Sequence, residues 1–356
     1  MRIVIAGAGE VGTHLAKMLS QEEHELVVID NDSDRLKGIA STLDVLTIEG
    51  NANSISHLKE ARISKADLMI SVTSSEDVNV NSAILSKRLG AKKTIARIDN
   101  QEYLLPANKE IFENLGVDYM IYPEKIAARE IVGLLSETGS TEIVEFGGGK
   151  LHMYVIRLDD DAPIINKTLR ELSPGVDGLE YRAVAITRHA QTIVPSGDDR
   201  FENGDLVYVI SSKAGLKKLY KYSGKKQFAV RDIMILGGSR IGRKTADALG
   251  NQHYVKLIEK DRQRSFNLSN RLSNTLVIHG DGTDMELLRQ EGLEKMDAFI
   301  AVTGNAETNI LSCLLAKHLG VKRTIAEVEN MDYIHLAENI GVDTIINKKL
   351  ITASRI

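Results

Sequence analysis

Two glycine-rich segments in this chain could hold a nucleotide. The first is Gly7-Ala8-Gly9-Glu10-Val11-Gly12, and the second is Gly237-Gly238-Ser239-Arg240-Ile241-Gly242; each directly follows a short apolar run. In a G-x-G-x-x-G loop the first glycine permits a tight turn, the second lets the backbone approach a pyrophosphate, and the third lets the next helix pack close to the strand. That helix presents free N–H groups to the phosphates. The sequence therefore predicts two nucleotide sites.

A carboxylate follows each loop at the end of the next apolar run. Asp30 has this position in the first copy and Glu259 in the second. Such a carboxylate accepts hydrogen bonds from ribose hydroxyls and repels a 2′-phosphate. We therefore expect NAD(H), ATP or ADP rather than NADP(H), with a solvated loop carboxylate as the alternative for Asp30.

Polar residues at other predicted strand ends extend the first site. Thr73 and Ser74 follow the fourth strand, at the edge where open α/β sheets bind ligands, although they could instead cap the next helix. Arg97, in the fifth strand, could reach the phosphates or form an edge-strand salt bridge. Arg35 could contact adenine or lie on a solvated helix face. The remaining candidates of the two sites are Asn51, Ala52, Asp281 and Thr303.

The second glycine-rich segment differs from the first in charge and bulk. Ser239 replaces the middle glycine, so that a Cβ atom crowds the approach to the pyrophosphate. Glu327 stands where the first copy has Arg97, whereas Arg240 could partly restore the attraction for phosphate. We expect the second site to bind more weakly or to prefer another nucleotide, and an empty, degenerate site is the alternative.

The duplication extends well beyond the glycines. Residues 66–100 and 296–330, at a constant offset of 230, share 15 identities in 35 positions. Within the first copy, apolar runs alternate with helical patterns, which indicates βαβ units and a parallel sheet. The predicted strands are 3–6, 26–29, 45–48, 68–72, 94–98 and 119–121, and the predicted helices are 11–20, 34–42, 55–61, 78–89 and 126–135. We predict an α/β protein with two Rossmann-like, doubly wound parallel-sheet domains, at residues 1–135 and 231–350.

A different pattern separates the two copies. Residues 140–225 predict a small α+β domain without a glycine-rich phosphate loop. Its predicted strands are 142–146, 151–158, 181–188, 191–194 and 206–210, its helices are 165–172 and 213–220, and residues 147–149 form a turn. The chain stops inside the counterpart of helix 126–135, so we expect a fragment that lacks a second small domain.

The composition gives no sign of catalysis. The net charge of −4 does not suggest nucleic-acid binding, no apolar run approaches the roughly 18 residues of a membrane span, and the single cysteine, Cys313, fits a buried helix position. The sequence contains no Walker lysine, no metal-ligand cluster and no Ser/His/Asp arrangement, so we predict neither catalytic nor metal-binding residues. An NAD-dependent oxidoreductase is the alternative, but it needs an acid or base that the middle domain does not offer.

These motifs resemble a known family. The residues at 7–12, Asp30, and the segments 66–74 and 96–98 are similar to the N-terminal nucleotide-binding domain (RCK-N, or KTN) of proteins that regulate potassium conductance, and 140–224 resembles its C-terminal companion (RCK-C). The tandem order is similar to that of peripheral regulatory subunits of bacterial potassium uptake systems.

The resemblance implies a cytoplasmic regulatory subunit at the inner face of the cell membrane. It would self-associate into a dimeric or tetrameric ring on a TrkH-like, potassium-translocating membrane subunit. NAD(H), with ATP or ADP as competing ligands, would change the shape of the ring and gate that subunit. A passive scaffold with vestigial sites is a further alternative. From the matching motifs, the resemblance implies a first site at Gly7 through Val11, Asp30, Thr73, Ser74 and Arg97. It implies a second site at Gly237 through Ile241, Glu259 and Thr303.

Overall fold

A computed structural model describes residues 1–146, 151–172, 181–189, 191–225 and 227–356 of the 356-residue chain. The chain forms two compact units. The first unit comprises Met1–Ala127 together with Asn347–Ile356, and the second comprises Ala128–Ile346. The turn expected at 147–149 lies outside the described residues.

The first unit contains a six-stranded parallel sheet of order β3-β2-β1-β4-β5-β6. Its strands are β1 (Arg2–Ala6), β2 (Glu25–Asp30), β3 (Leu46–Glu49), β4 (Leu68–Ser71), β5 (Lys93–Arg97) and β6 (Tyr119–Ile121). Its helices are α1 (Glu10–Leu19), α2 (Ser33–Ala40), α3 (Ile55–Glu60), α4 (Glu76–Arg88) and α5 (Pro106–Leu115), and α6 (Pro123–Ser136) begins in this unit and ends in the second. The predicted doubly wound parallel fold is confirmed.

The strand order explains where a ligand can bind. The chain builds outward from β1 to β3 on one side and from β4 to β6 on the other, so the order reverses between β1 and β4. Side chains of β1 enter core clusters on both faces of the sheet, Ile3 and Ile5 on one and Val4 on the other. The crevice at such a switch point, outside the carboxyl ends of the strands, is where open α/β sheets bind ligands.

The second unit begins with a five-stranded antiparallel sheet of order β10-β9-β11-β8-β7. Its elements are β7 (Glu142–Phe146), β8 (Leu151–Arg157), α7 (Leu169–Leu172), β9 (Tyr181–Arg188), β10 (Gln191–Ile193), β11 (Leu206–Ser211) and α8 (Lys213–Tyr222). The helix predicted over 165–172 is wrong in its first half. Asn166 lies in the left-handed region at φ 64°, and its N–H bonds to the carbonyl of Phe201 at 2.8 Å, so a helix cannot begin before Leu169.

A second parallel sheet completes this unit and repeats the first, in the order β14-β13-β12-β15-β16-β17. Its strands are β12 (Asp232–Leu236), β13 (Tyr254–Glu259), β14 (Thr275–His279), β15 (Ala298–Ala301), β16 (Arg323–Glu327) and β17 (Thr344–Ile346). Its helices are α9 (Arg240–Leu249), α10 (Arg262–Ser269), α11 (Met285–Gln290), α12 (Ala306–His318) and α13 (Met331–Ile340).

A buried arginine joins the two sheets of the second unit. Arg323, at the start of β16, is 5% exposed and donates from Nη2 to the carbonyl of Ser140 at 2.5 Å. The hydroxyl groups of Ser140 and Tyr220 lie 2.7 Å apart at the same place. The equivalent residue of the first copy, Lys93, is exposed. This contact is therefore a property of the second copy alone.

The last helix, α14 (Lys348–Arg355), belongs to the first unit. Asn347 caps it by accepting hydrogen bonds from the N–H groups of Lys349 and Leu350 at 2.9 and 3.0 Å. Ala353 lies in the same core cluster as Val11 of α1, with Ile356 packed against it. The C-terminal helix is thus fixed beside the helix that follows the first glycine-rich loop.

Candidate functional site

The first glycine-rich loop leaves β1 and enters α1 with tight backbone packing. Gly7 has φ 106°, and a Cβ atom there would lie 2.9 Å from the backbone nitrogen of Thr73. A Cβ atom on Gly12 would lie 1.8 Å from the carbonyl oxygen of Gly7. At Gly9, in contrast, no protein atom lies within 4 Å of the Cβ position. The protein itself requires the first and third glycines, and the middle one leaves open space at the helix N-terminus.

The Asp30 carboxylate is held by the loop and is 8% exposed. It accepts hydrogen bonds from the N–H of Ala8 at 2.5 Å and from the N–H of Asp32 at 2.9 Å. Each carboxylate oxygen has further lone pairs, which can accept ribose hydroxyls. The side chain of Val11 lies in the apolar core, so only its backbone is available to a ligand. Glu10 is exposed.

Asn79 organises the loop after β4, a role that its motif context did not predict. This side chain is 1% exposed. Its Oδ1 accepts hydrogen bonds from the backbone N–H of Thr73 at 2.8 Å and from the Thr73 hydroxyl at 2.7 Å. Its Nδ2 donates to the carbonyls of Thr73 and Arg97 at 3.1 and 3.0 Å. The identity of Asn79 and Asn309 in the repeat was the signal that could have identified it.

The alternative that Thr73 or Ser74 caps α4 is wrong. The cap is Ser75, whose hydroxyl accepts from the N–H of Val78 at 3.4 Å. The backbone of Thr73 instead packs against Gly7 at the carboxyl edge of the sheet, and its hydroxyl donates to Asn79 Oδ1 at 2.7 Å. Ser74 is exposed next to it. Both residues therefore stay at the crevice where a ligand would bind.

The two arginines of the first site already have acidic neighbours. Arg97 Nη2 lies 3.9 Å from carboxylate oxygens of both Asp99 and Glu124. The alternative of an edge-strand salt bridge is wrong about the strand, because β5 lies between β4 and β6 and is not at the edge of the sheet. Arg35 lies 3.2 Å from the Asp32 carboxylate, and more than half of its side chain is exposed.

The loop after β3 contributes mainly backbone. The Asn51 side chain is exposed, and the carbonyl of Asn51 lies 3.2 Å from Nδ1 of His57. Ala52 is 4% exposed and belongs to an apolar core cluster. Only the main chain of Ala52 is therefore available to a ligand.

The second site repeats this frame. Gly237 has φ 104°, and the Glu259 carboxylate accepts from the N–H groups of Gly238 and Asp261 at 2.9 and 2.8 Å. Asn309 holds Thr303 as Asn79 holds Thr73, with its Oδ1 2.7 Å from the threonine hydroxyl. A cavity of about 310 Å³ lies here. Its lining includes Gly237, Gly238, Ser239, Glu259, Lys260, Arg264, Asp281 and Thr303.

Ser239 distinguishes the second loop from the first. Its hydroxyl accepts a hydrogen bond from the N–H of Gly242 at 3.2 Å and so caps α9. Gly9 makes no side-chain cap on α1. Free N–H groups at a helix N-terminus bind phosphate. Ser239 therefore occupies one N–H donor of the second loop, whereas no side chain occupies the corresponding donor of the first loop.

Asp281 forms an ion pair inside the second cavity. Lys260 Nζ lies 2.7 Å from its carboxylate, and the N–H of Thr283 donates to it at 3.0 Å. The hydrogen bond from Lys260, helped by those from Thr283, lowers the pKa of Asp281 to about 2. The carboxylate is therefore ionised at neutral pH and neutralised by its lysine. Glu327, which replaces Arg97, is 5% exposed.

Nucleophilic and metal chemistry receive little support from the described residues. Cys313 is fully buried, and burial raises the pKa of its thiol, which makes a thiolate nucleophile unfavourable. Among the residues that the structure describes, no group of three or more His, Cys, Asp or Glu side chains is placed to hold a metal ion. In the same part of the chain, no helix has both the length and the apolar character to span a membrane.

Comparison with family models identifies all three segments. The TrkA-N domain model matches residues 3–123 and 233–348, and the TrkA-C domain model matches residues 153–224. The chain belongs to the TrkA family. The two TrkA-N matches contain the two glycine-rich loops, and the TrkA-C match contains most of the antiparallel sheet.

Relatives in the TrkA family match nearly the whole chain. The Trk system potassium uptake protein TrkA of Halomonas elongata is 31% identical over 353 residues, which cover 99% of this chain and 77% of that protein. The TrkA homolog of Archaeoglobus fulgidus is 36% identical over 360 residues, covering 100% of this chain and 80% of the homolog. Both are named as potassium uptake proteins and neither as an enzyme, so the oxidoreductase alternative is not favoured.

Solved structures show the same fold. The RCK domain of GsuK superimposes with a TM-score of 0.69 at 20% identity, covering 99% of this chain and 75% of that one. The GsuK channel bound to NAD gives a TM-score of 0.70 at 20% identity, covering 99% of this chain and 62% of that one. The predicted RCK-like architecture, with two Rossmann-like sheets and a small sheet between them in sequence, is confirmed.

Proposed function

We propose that this chain is a cytoplasmic regulatory subunit of a Trk potassium uptake system, and that it binds nucleotides at its two glycine-rich loops. The observation that carries the proposal is the repeated loop geometry on a TrkA-family chain. Each loop is tight at its first and third glycines, opens onto a helix N-terminus, and holds a carboxylate through a loop N–H. These are the features of a dinucleotide-binding Rossmann site.

We assign NAD(H) to the first site, with ATP and ADP as competing ligands. Related structures of GsuK are described as bound to NAD and to ADP. Asp30 favours ribose hydroxyls over a 2′-phosphate. We propose that the first site comprises Gly7, Ala8, Gly9, Glu10, Val11, Gly12, Asp30, Arg35, Asn51, Ala52, Thr73, Ser74 and Arg97.

The second site binds more weakly in this proposal, because the Ser239 hydroxyl accepts from an N–H group at the start of α9 whose counterpart in the first loop has no side-chain partner. The second site comprises Gly237, Gly238, Ser239, Arg240, Ile241, Glu259, Asp281 and Thr303. The functional domains would be residues 1–135 and 231–350, with the small domain at 140–225.

Gating follows from differential affinity in this proposal. A nucleotide shifts an equilibrium between two ring shapes only as far as it binds one shape more tightly. A coupling of about 1–3 kcal/mol corresponds to roughly 5- to 150-fold. The partner is a TrkH-like, potassium-translocating membrane subunit, and the chain lies peripherally on the inner face of the membrane.

Exposed apolar residues support self-association into a dimer or tetramer ring. No residue of helix α5 is fully buried, and Ile111 and Leu115 on it are 56% and 41% exposed. Leu336 and Ile340, at the equivalent positions of α13, are 54% and 47% exposed. Such paired apolar positions are typical of a surface that another copy covers.

Calorimetric titration of NADH, NAD, ADP, ATP and NADPH tests the proposal. Asp30→Asn and Glu259→Gln are the site variants, since each keeps the shape of the side chain and removes its charge. Binding of NADH, NAD, ADP and ATP, which lack a 2′-phosphate, supports the proposal. Two sites are supported if each variant removes a different part of that binding. Equal binding of NADPH and NADH, or no binding at all, would overturn it. Absence of any NADH oxidation during the titration separates binding from turnover.

A further inference from the structure

We propose that Lys349, on the C-terminal helix, is a phosphate-recognising residue of the first nucleotide site. This inference rests on the proposed function, because it assigns a further residue to that site. The chain reaches Lys349 only after the second parallel sheet, and the residue at its equivalent position in the first copy is Glu124, of opposite charge.

The structure places Lys349 beside the first glycine-rich loop. Its Nζ forms an ion pair with the carboxylate of Glu10, which is the first residue of α1 and follows Gly9 directly. The Lys349 side chain is 9% exposed, whereas that of Glu10 is 68% exposed. Packing of α14 against α1, with Ala353 in the shared core, holds the lysine in place.

The chemistry of this pair suits a phosphate ligand. The N-terminal N–H groups of α1 have no side-chain cap, and the space beside Gly9 is open. A phosphate bound there would place its charge near the Lys349 ammonium, and the exposed Glu10 carboxylate could turn into solvent to admit it. Burial lowers the pKa of Lys349, and a second anion nearby would oppose that shift.

The ligand class is the polyphosphate end of a nucleotide. The attraction between an ammonium group and a ligand grows with the number of negatively charged phosphate groups close to it. Lys349 should therefore favour ATP over ADP, and ADP over AMP.

The test is a titration of AMP, ADP and ATP into the full chain, with the first site identified by the signal that Asp30→Asn removes. Lys349→Gln should weaken ATP binding roughly tenfold and AMP binding hardly at all. Lys349→Arg should retain most of the affinity for ATP. Lys17→Gln is the matched control, because it removes one positive charge from the opposite, exposed end of α1.

A second variant protects the test against misfolding. Glu10→Gln keeps the lysine and removes its competing carboxylate, so ATP affinity should rise several-fold relative to AMP. Equal changes for AMP and ATP in Lys349→Gln, or no gain in Glu10→Gln, would overturn the assignment and leave Lys349 a structural residue. If the unmodified chain binds no nucleotide at the first site, the proposed function itself fails, which is a distinguishable result.

Discussion

The substitution Gly9→Ser would give helix α1 of the first nucleotide site a serine N-cap like the one that Ser239 provides for α9 in the second. Gly9 has φ −69° and ψ −176°, which any residue adopts, and no atom lies within 4 Å of its Cβ position. A serine therefore fits without displacing the protein. By analogy with Ser239, its hydroxyl would accept from the N–H of Gly12 and occupy the space beside the helix N-terminus.

The expected effects on affinity and stability have opposite signs. Loss of one hydrogen bond to a charged phosphate costs about 1.5–3 kcal/mol, so nucleotide binding at the first site should weaken roughly 10- to 150-fold. A serine cap in place of glycine stabilises a helix by only a few tenths of a kcal/mol. Unfolding stability should therefore stay equal or rise slightly while binding falls.

Calorimetry with NADH and urea denaturation measure the two effects. Gly9→Ala is the control, since it adds the Cβ atom without the hydroxyl and should lose less affinity than Gly9→Ser. The converse change, Ser239→Gly, should strengthen binding at the second site. Unchanged NADH affinity in Gly9→Ser, or a loss of affinity that merely follows a loss of stability, would refute this reasoning.

Three further predictions concern packing, the buried arginine and an ion pair. Gly12→Ala should destabilise the chain by at least about 3 kcal/mol in urea denaturation because its Cβ meets a backbone oxygen; Gly38→Ala, with open space, should be neutral or stabilising. Arg323→Ala should cost about 1–3 kcal/mol by leaving a buried carbonyl without its donor, whereas Lys93→Ala in the first copy should cost little. The lowered pKa of Asp281 means that its stabilising contribution is complete above its unfolded pKa of about 4 and is lost as the pH falls through about 2. An NMR titration that places this carboxyl near its ordinary pKa would contradict the Lys260 pairing.

The repeat made the parallel sheets predictable. Glycine spacing, the carboxylate after the second strand and the constant offset of 230 residues all pointed to the same βαβ frame. Observed strand bounds differ from the predicted ones by one residue at most in the first copy. The buried central strands β1 and β2 read as continuous apolar runs. Helix α5 was not predicted, and no residue of it is fully buried, because the apolar residues Ile111 and Leu115 face away from the core.

Details of the site required three-dimensional contacts. The roles of Asn79, and of Ser75 rather than Thr73 as the cap of α4, depend on hydrogen-bond geometry at one loop. The pairing of Lys349 with Glu10 joins residues at opposite ends of the chain, and local sequence patterns carry no information about such contacts. The helix predicted at 165–172 is wrong in its first half, because Asn166 adopts a left-handed conformation and its N–H bonds to the carbonyl of Phe201.

The most direct test of the account is potassium flux through a Trk membrane subunit reconstituted in vesicles with this chain on its cytoplasmic side. We expect NADH and ATP each to change the flux, and Asp30→Asn and Gly9→Ser to abolish or strongly reduce the change while the variants remain folded. Flux that is the same with and without nucleotide, for a chain shown by calorimetry to bind it, would contradict the claim that this protein regulates potassium uptake through its nucleotide sites.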